Sequence, residues 1–156
     1  MKLTMKFFLS FFFGLITYAS SAQATKIIKV AKFKPPAVKT YLGVNTNSAA
    51  VTAKEASQLV GFPLKVTDDK KNIYTVESYG FIYKRKGVIE DEETGVKKIA
   101  FTTVADKFNE TPLPKIWIDN LKDSFQKDEE LYFYDITVKD DKGRKFFAPD
   151  LKITIQ

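Results

Sequence analysis

No cysteine and no histidine occur anywhere in the sequence. Without cysteine there is no disulfide, no thiolate nucleophile or metal ligand, and no lipoprotein-type acylation site. Without histidine there is no Ser-His-Asp or Cys-His nucleophile system, no histidine zinc site, and no residue with the commonest base strength near neutral pH. Only carboxylates, Lys, Tyr, Ser and Thr remain for catalysis. Glycine is sparse, at 7 residues, and no Gly-rich phosphate loop appears, which argues against a nucleotide cofactor. Past the N-terminus, no apolar run approaches the roughly 20 residues that a membrane-spanning helix needs.

What is present begins with "MKLTMKFFLSFFFGLITYASSAQA". Lys2 and Lys6 precede an apolar run from Phe7 to about Ala19, and small residues lead to Ala22-Gln23-Ala24. This is the pattern of a cleavable export signal over 1–24, so the expected location is the periplasm or the cell surface. The remaining residues, 25–156, suit one globular unit of ordinary size. Loss of Lys2 and Lys6 lowers the net charge from +6 to +4, a balance that does not favour nucleic acid as a partner.

Residues 25–47 read as an extended arm that ends in a strand, "AVKTYLGV", followed by a loop, "NTNSAA". Thr52 and Glu55 have the spacing of a capping box. Val51 and Ala56 sit at the staple positions, and Gly61 and Pro63 stop the helix. "PLKVTD" reads as a strand and "DDKKN" as a turn. Residues 73–89 form a long β-prone run in which Ile73, Tyr79, Phe81 and Tyr83 share one face by simple alternation, with Tyr74, Val76 and Ile82 on the other. "VKKIAFTTVADKF" follows an acidic connection and completes an antiparallel hairpin. Trp117, Leu121 and Phe125, with Ile118, mark one face of a second helix that starts near Pro114. Leu131 to Val138, Arg144 to Phe147, and Leu151, Ile153 and Ile155 supply the last strands, with Asp140-Asp141-Lys142-Gly143 as a tight turn. The expected architecture is a mainly β domain over 48–156. It is predicted to be an antiparallel sandwich of the Ig-like or Greek-key type with one or two short helices.

The acidic stretch Glu90, Asp91, Glu92 and Glu93 is the first candidate for chemistry. Its carboxylates are contiguous, and neighbours in an extended chain point to opposite sides, whereas calcium loops place ligands at alternate positions. A solvated hairpin end is therefore expected rather than a metal site. Lys84, Arg85 and Lys86 before it, and Lys97 and Lys98 after it, allow ion pairs across the hairpin. Lys84, Arg85, Lys86, Glu90, Asp91, Glu92 and Glu93 are the candidate partner contacts.

Tyr79, Phe81, Tyr83, Phe101, Tyr132, Phe133, Tyr134, Phe146 and Phe147 follow strand period and read as core, with a carbohydrate platform as the rival. Asp135 reads either as a catalytic carboxylate or as an acceptor for turn amides or Arg144. With no second acid at its side, the structural role is favoured, because glycoside hydrolysis uses a pair. No catalytic, cofactor or metal residue is assigned.

The order of these motifs resembles a known family. An EAxxL helix (Glu55, Ala56, Leu59), the strand "VESYGF" and the closing "LYFYDITVKDDKGRKFFAP" are similar to the C-terminal periplasmic domain of the gliding motility protein GldM. Phe133, Asp135, Ile136, Asp141, Gly143 and Arg144 carry the most specific part, within a match over about 48–156. The resemblance implies a β-sandwich that contacts envelope proteins in a gliding or type IX secretion assembly, without a motor role. The expected function is thus a non-enzymatic, exported interaction module of a Gram-negative envelope. A carbohydrate-binding module and a carboxylate-based hydrolase are the rivals.

Overall fold

The structure, a computed structural model, describes residues 32–156. The expected export signal over 1–24 and residues 25–31 of the expected arm lie outside the described residues. In chain order the elements are β1 (Val38–Leu42), β2 (Asn45–Thr46), β3 (Ser48–Val51), α1 (Ala53–Leu59), β4 (Leu64–Asp68), β5 (Ile73–Glu90), β6 (Lys97–Phe108), α2 (Lys115–Leu121), β7 (Glu130–Lys139), β8 (Lys145–Phe147) and β9 (Leu151–Ile155). The described residues are mainly β with two short helices, as their periodicities predict. Among the described residues no helix is long and apolar enough to cross a membrane.

The strands form one connected sheet with the path β2-β1-β4-β5-β7-β9-β3, while β6 pairs with β5 and β8 with β7. The two ends of that path, β2 and β3, are separated in sequence by Asn47 alone, so the sheet comes nearly round on itself. Two stacked antiparallel layers were the expectation. One mixed, barrel-like sheet is what forms, because β3 runs parallel to β9, pairing Ser48 with Lys152 and Val51 with Ile155. The "NTNSAA" segment is accordingly β2 and β3 rather than a loop, and no boundary falls at residue 47.

Simple alternation along β5 also fails at a definite place. Val76 faces Val138 and Ser78 faces Thr137, which leaves Glu77 as an extra residue on β5. Between Ser78 and Gly80 the surplus passes to β7, where Asp135 takes a positive φ of 49°. Such bulges shift the inward parity by one. Tyr79, Phe81 and Tyr83 therefore point inward while Ile73 is left 79% exposed. On β7 the same slip lets Leu131 and Phe133, then Ile136 and Val138, all reach the core. Glu77, displaced by its bulge, pairs with Lys139 at 3.0 Å and Lys145 at 2.5 Å, and these lysines hold its carboxyl below the usual range.

The core gathers Phe81 and Phe133, with ring centroids 5.0 Å apart, under Leu131, Leu151, Ile153 and Ile155. Each such side chain, fully removed from water, contributes on the order of 1.5–3 kcal/mol. Trp117 of α2 stands edge-on to Phe81 and to Phe108, each at 5.6 Å, and so fixes α2 beneath β5 and β6. Helix α2 stops at Leu121, sooner than its apolar spacing predicts, yet Phe125 still packs on Tyr83 at 5.8 Å. At α1 the capping box is complete. The Glu55 amide donates to the Thr52 hydroxyl, and the Thr52 amide donates to the Glu55 carboxylate. On the outer face a side chain at Gly80 would lie 2.3 Å from the Tyr134 ring, so glycine is what lets that ring rest on the strand.

Candidate partner-contact arm

One edge of β5 is held by β7, but only as far as Lys84, which faces Glu130. The other edge is held by β6 from Tyr79 through Glu90, ending at the pair Glu90 and Lys97. Beyond Lys84, then, β5 and β6 continue alone as a two-stranded ribbon. Among the described residues β6 pairs with β5 only, leaving its outer edge open along its length.

Glu129 sits where the ribbon leaves the barrel. It is fully buried, and its carboxylate accepts from the Tyr83 hydroxyl at 2.6 Å, the Lys86 amide at 2.9 Å and the Gln126 amide at 2.9 Å. The Lys86 amide belongs to the first stretch of β5 that β7 no longer covers, so Glu129 takes over as its acceptor. Burial, and then the bond to Glu129, push the Tyr83 phenol up to about 12. Outside this knot Lys86 pairs with Asp128 at 2.9 Å and Lys84 with Glu130 at 3.7 Å. The Lys84 ammonium also lies 4.7 Å from the centroid of the Phe101 ring, within cation–π range.

Of the ion pairs that the flanking basic residues allow across the hairpin, the basic triplet makes none with the acidic stretch. In the observed register Lys84, Arg85 and Lys86 face Thr103, Thr102 and Phe101, far along the ribbon from the acids. Only Glu90 finds a cross-strand lysine, Lys97, at 3.6 Å. Asp91 shapes the turn. Its carboxylate accepts from the Thr94 amide at 2.9 Å, the Thr94 hydroxyl at 2.9 Å and the Glu93 amide at 3.1 Å, and these bonds hold its carboxyl below the usual range. Gly95 completes the reversal at φ 68°. Glu92 and Glu93 are exposed at the tip.

The ribbon is apolar as well as charged. Val88, Ile89, Val96, Ile99, Phe101 and Val104 are 44–66% exposed. Where it meets α2 there is a groove of about 500 Å³ walled by Tyr83, Val104, Ile116, Trp117 and Leu121. Arg85, Asn120 and Ser124 supply its polar rim. Arg85 is exposed, and among the described residues no carboxylate pairs with it. It also borders a second depression of about 420 Å³ with Gly87, Val88, Ile99, Thr102 and Gln126.

The other candidates find structural roles. Asp135 is exposed at the β7 bulge, and its left-handed backbone explains an aspartate there. Arg144 pairs with Asp140 at 2.7 Å rather than with Asp135, and Asp140 also accepts the amides of Lys142 and Arg144. Among the described residues no group of three or more carboxylates could hold a metal ion. Tyr79, Phe81, Tyr83, Phe133 and Phe146 are buried, so Tyr83 cannot serve as a surface platform. Phe101 and Phe147 are exposed, while Tyr132 and Tyr134 stack at 5.7 Å on the outer face.

Sequence reasoning missed Glu129 and the groove. "DEELYFY" offers two adjacent glutamates with nothing to tell the buried one from Glu130. Ile116 and Trp117 read simply as helix core. No family model matches the chain, and a search of curated proteins finds none similar to it.

Proposed function

We propose that this protein is a non-enzymatic interaction module, exported to the cell envelope, whose contact element is the β5–β6 ribbon. The observation that carries this reading is the β6 edge that no strand among the described residues covers, flanked by six large exposed apolar side chains, Val88, Ile89, Val96, Ile99, Phe101 and Val104. Long exposed apolar edges invite pairing with another chain, and folded proteins ordinarily shorten, bulge or cover them. Lys97, Lys98, Asp106 and Lys107 blunt both ends of β6, but its centre, Ile99 to Val104, carries no charge. The export signal over 1–24 and the resemblance to the GldM periplasmic domain support an envelope location and a protein partner.

Of the nine candidate aromatics the carbohydrate reading keeps Phe101, Tyr132, Tyr134 and Phe147 as accessible rings. Two of these are engaged, since Tyr134 covers Gly80 and Tyr132 donates to Asp150.

A photo-crosslinking residue at Phe101, activated in intact cells, is expected to trap one defined envelope protein. The same probe at Lys70, in the β4–β5 turn, is expected to trap none. Absence of any specific adduct at Phe101, with the protein exported and folded, would overturn the reading.

A further inference from the structure

We infer that the β6 edge and the adjoining groove form one peptide-binding site, for an extended partner segment that carries a large apolar residue and a carboxylate two positions apart. The inference deepens the interaction reading above and rests on it.

A strand added to a sheet edge presents alternate side chains to each face. On the α2 side of the ribbon β6 displays Val104 and Thr102, two residues apart, and their partners across β5 are Tyr83 and Arg85. Val104 forms a wall of the groove with Ile116 and Trp117. A partner side chain laid beside Val104 therefore enters an apolar slot, and Ile116, 69% exposed, gains cover from it. The next partner side chain on that face lies beside Thr102, on the row that ends in Arg85. Among the described residues the guanidinium has no carboxylate of its own, and it can form paired, charge-assisted hydrogen bonds to one that is offered. Asn120 and Ser124 complete the polar rim. Beyond Arg85 the same face carries Gly87 opposite Ala100, two residues without bulk, and a side chain at Gly87 would meet only the Ala100 carbonyl at 3.8 Å. Main-chain pairing supplies affinity without sequence preference, while the slot and Arg85 together select the spacing.

The test uses the purified protein and nine-residue peptides of Thr and Ser, capped at both ends, with a central Leu-x-Glu. Trp117, the single tryptophan, reports occupation of the groove by its fluorescence. The Leu-x-Glu peptide is expected to give a saturable change. Leu-x-Gln and Ser-x-Glu peptides are expected to bind at least about tenfold more weakly, which corresponds to the loss of one good contact. In Arg85→Gln, whose exposed position leaves the urea midpoint unchanged, the Glu and Gln peptides are expected to bind equally. Arg85→Glu is expected to prefer a Leu-x-Lys peptide. Several results would overturn the proposal: no saturable change at millimolar peptide, no discrimination by Arg85, or Ser-x-Glu binding as well as Leu-x-Glu. A concentration-dependent dimer in sedimentation that excludes the peptide would overturn it too, because a second copy would then occupy the edge. Peptide failure alongside a specific Phe101 adduct would sink this site while leaving the interaction reading intact.

Discussion

Removing the fully buried Glu129 carboxylate leaves three donors, the buried Tyr83 hydroxyl and the part-buried amides of Lys86 and Gln126, without their acceptor. A buried group stripped of its partner costs about 1–3 kcal/mol. Glu129→Ala is therefore expected to lower stability by about 3 kcal/mol or more in urea unfolding. Tyr83→Phe, which removes one donor but leaves the carboxylate the amides of Lys86 and Gln126, is expected to cost less, about 1.5–3 kcal/mol. An alanine variant within 0.5 kcal/mol of the parent, on the scale of an ordinary surface change, would show that the knot is not structural. The Tyr83 phenol adds a pH dependence of known sign. Its folded value is raised to about 12, so its contribution is complete below the ordinary value near 10 and is lost as the pH rises from about 10 to about 12. Stability measured across that window should fall less steeply in Tyr83→Phe than in the parent; equal slopes would mean that Tyr83 ionises as freely folded as unfolded. These residues also mark how far single positions can be read from sequence. Thr52 and Glu55 were legible because their bonds are local, whereas Glu129 acquires its role from Tyr83 and Lys86, more than forty positions away.

An isolated two-stranded ribbon is marginal in water, and this one has a third strand beside it only as far as Lys84. The ribbon should open locally without the barrel opening. Hydrogen exchange is expected to show weak amide protection over residues 87–100 and strong protection over 79–84. The Lys86 amide should lie with the protected group because Glu129 accepts from it. Uniform protection along β5 would contradict a ribbon that stands free. Peptides of the kind proposed for the β6 edge should raise protection over 99–104 in particular, since added main-chain bonds form there. At this scale the hairpin, the capped helix α1 and the alternating β9 were all readable, each being specified by neighbours in sequence. Strands β2 and β3 were not. "NTNSAA" has no apolar alternation, and β3 owes its strand character to β9, about a hundred residues further on. The bulges at Glu77 and Asp135 were also invisible, and each moved side chains to the face opposite the one that simple alternation assigns.

For the molecule as a whole, the sheet nearly closes through its last strand. β9 lies between β7, its antiparallel neighbour, and β3, its parallel one. Its three inward residues, Leu151, Ile153 and Ile155, are each at most 1% exposed. Parallel pairs are joined by long connections, here nearly the whole domain from α1 to β8, so the β3–β9 contact is costly in chain entropy and forms late if contacts form in order of loop length. The strand also supplies backbone acceptors and donors at the root of the arm, where the Asp128 amide donates to the Ile155 carbonyl and the Ile155 amide donates to the Glu129 carbonyl. Deleting residues 151–156 would bare the β7 edge, leave β3 without a partner, and free the loop that holds Glu129. The truncated chain is expected to lose fixed side-chain packing altogether, seen as a flat near-ultraviolet circular dichroism spectrum and dye binding to exposed apolar surface. Ile153→Ala, by contrast, should fold with a loss of about 2–5 kcal/mol, because it empties one core position without opening the ring. A truncated protein that unfolds cooperatively near the parent's midpoint would mean that β9 is an accessory, and that β1, β4, β5 and β7 suffice to hold the ribbon in place.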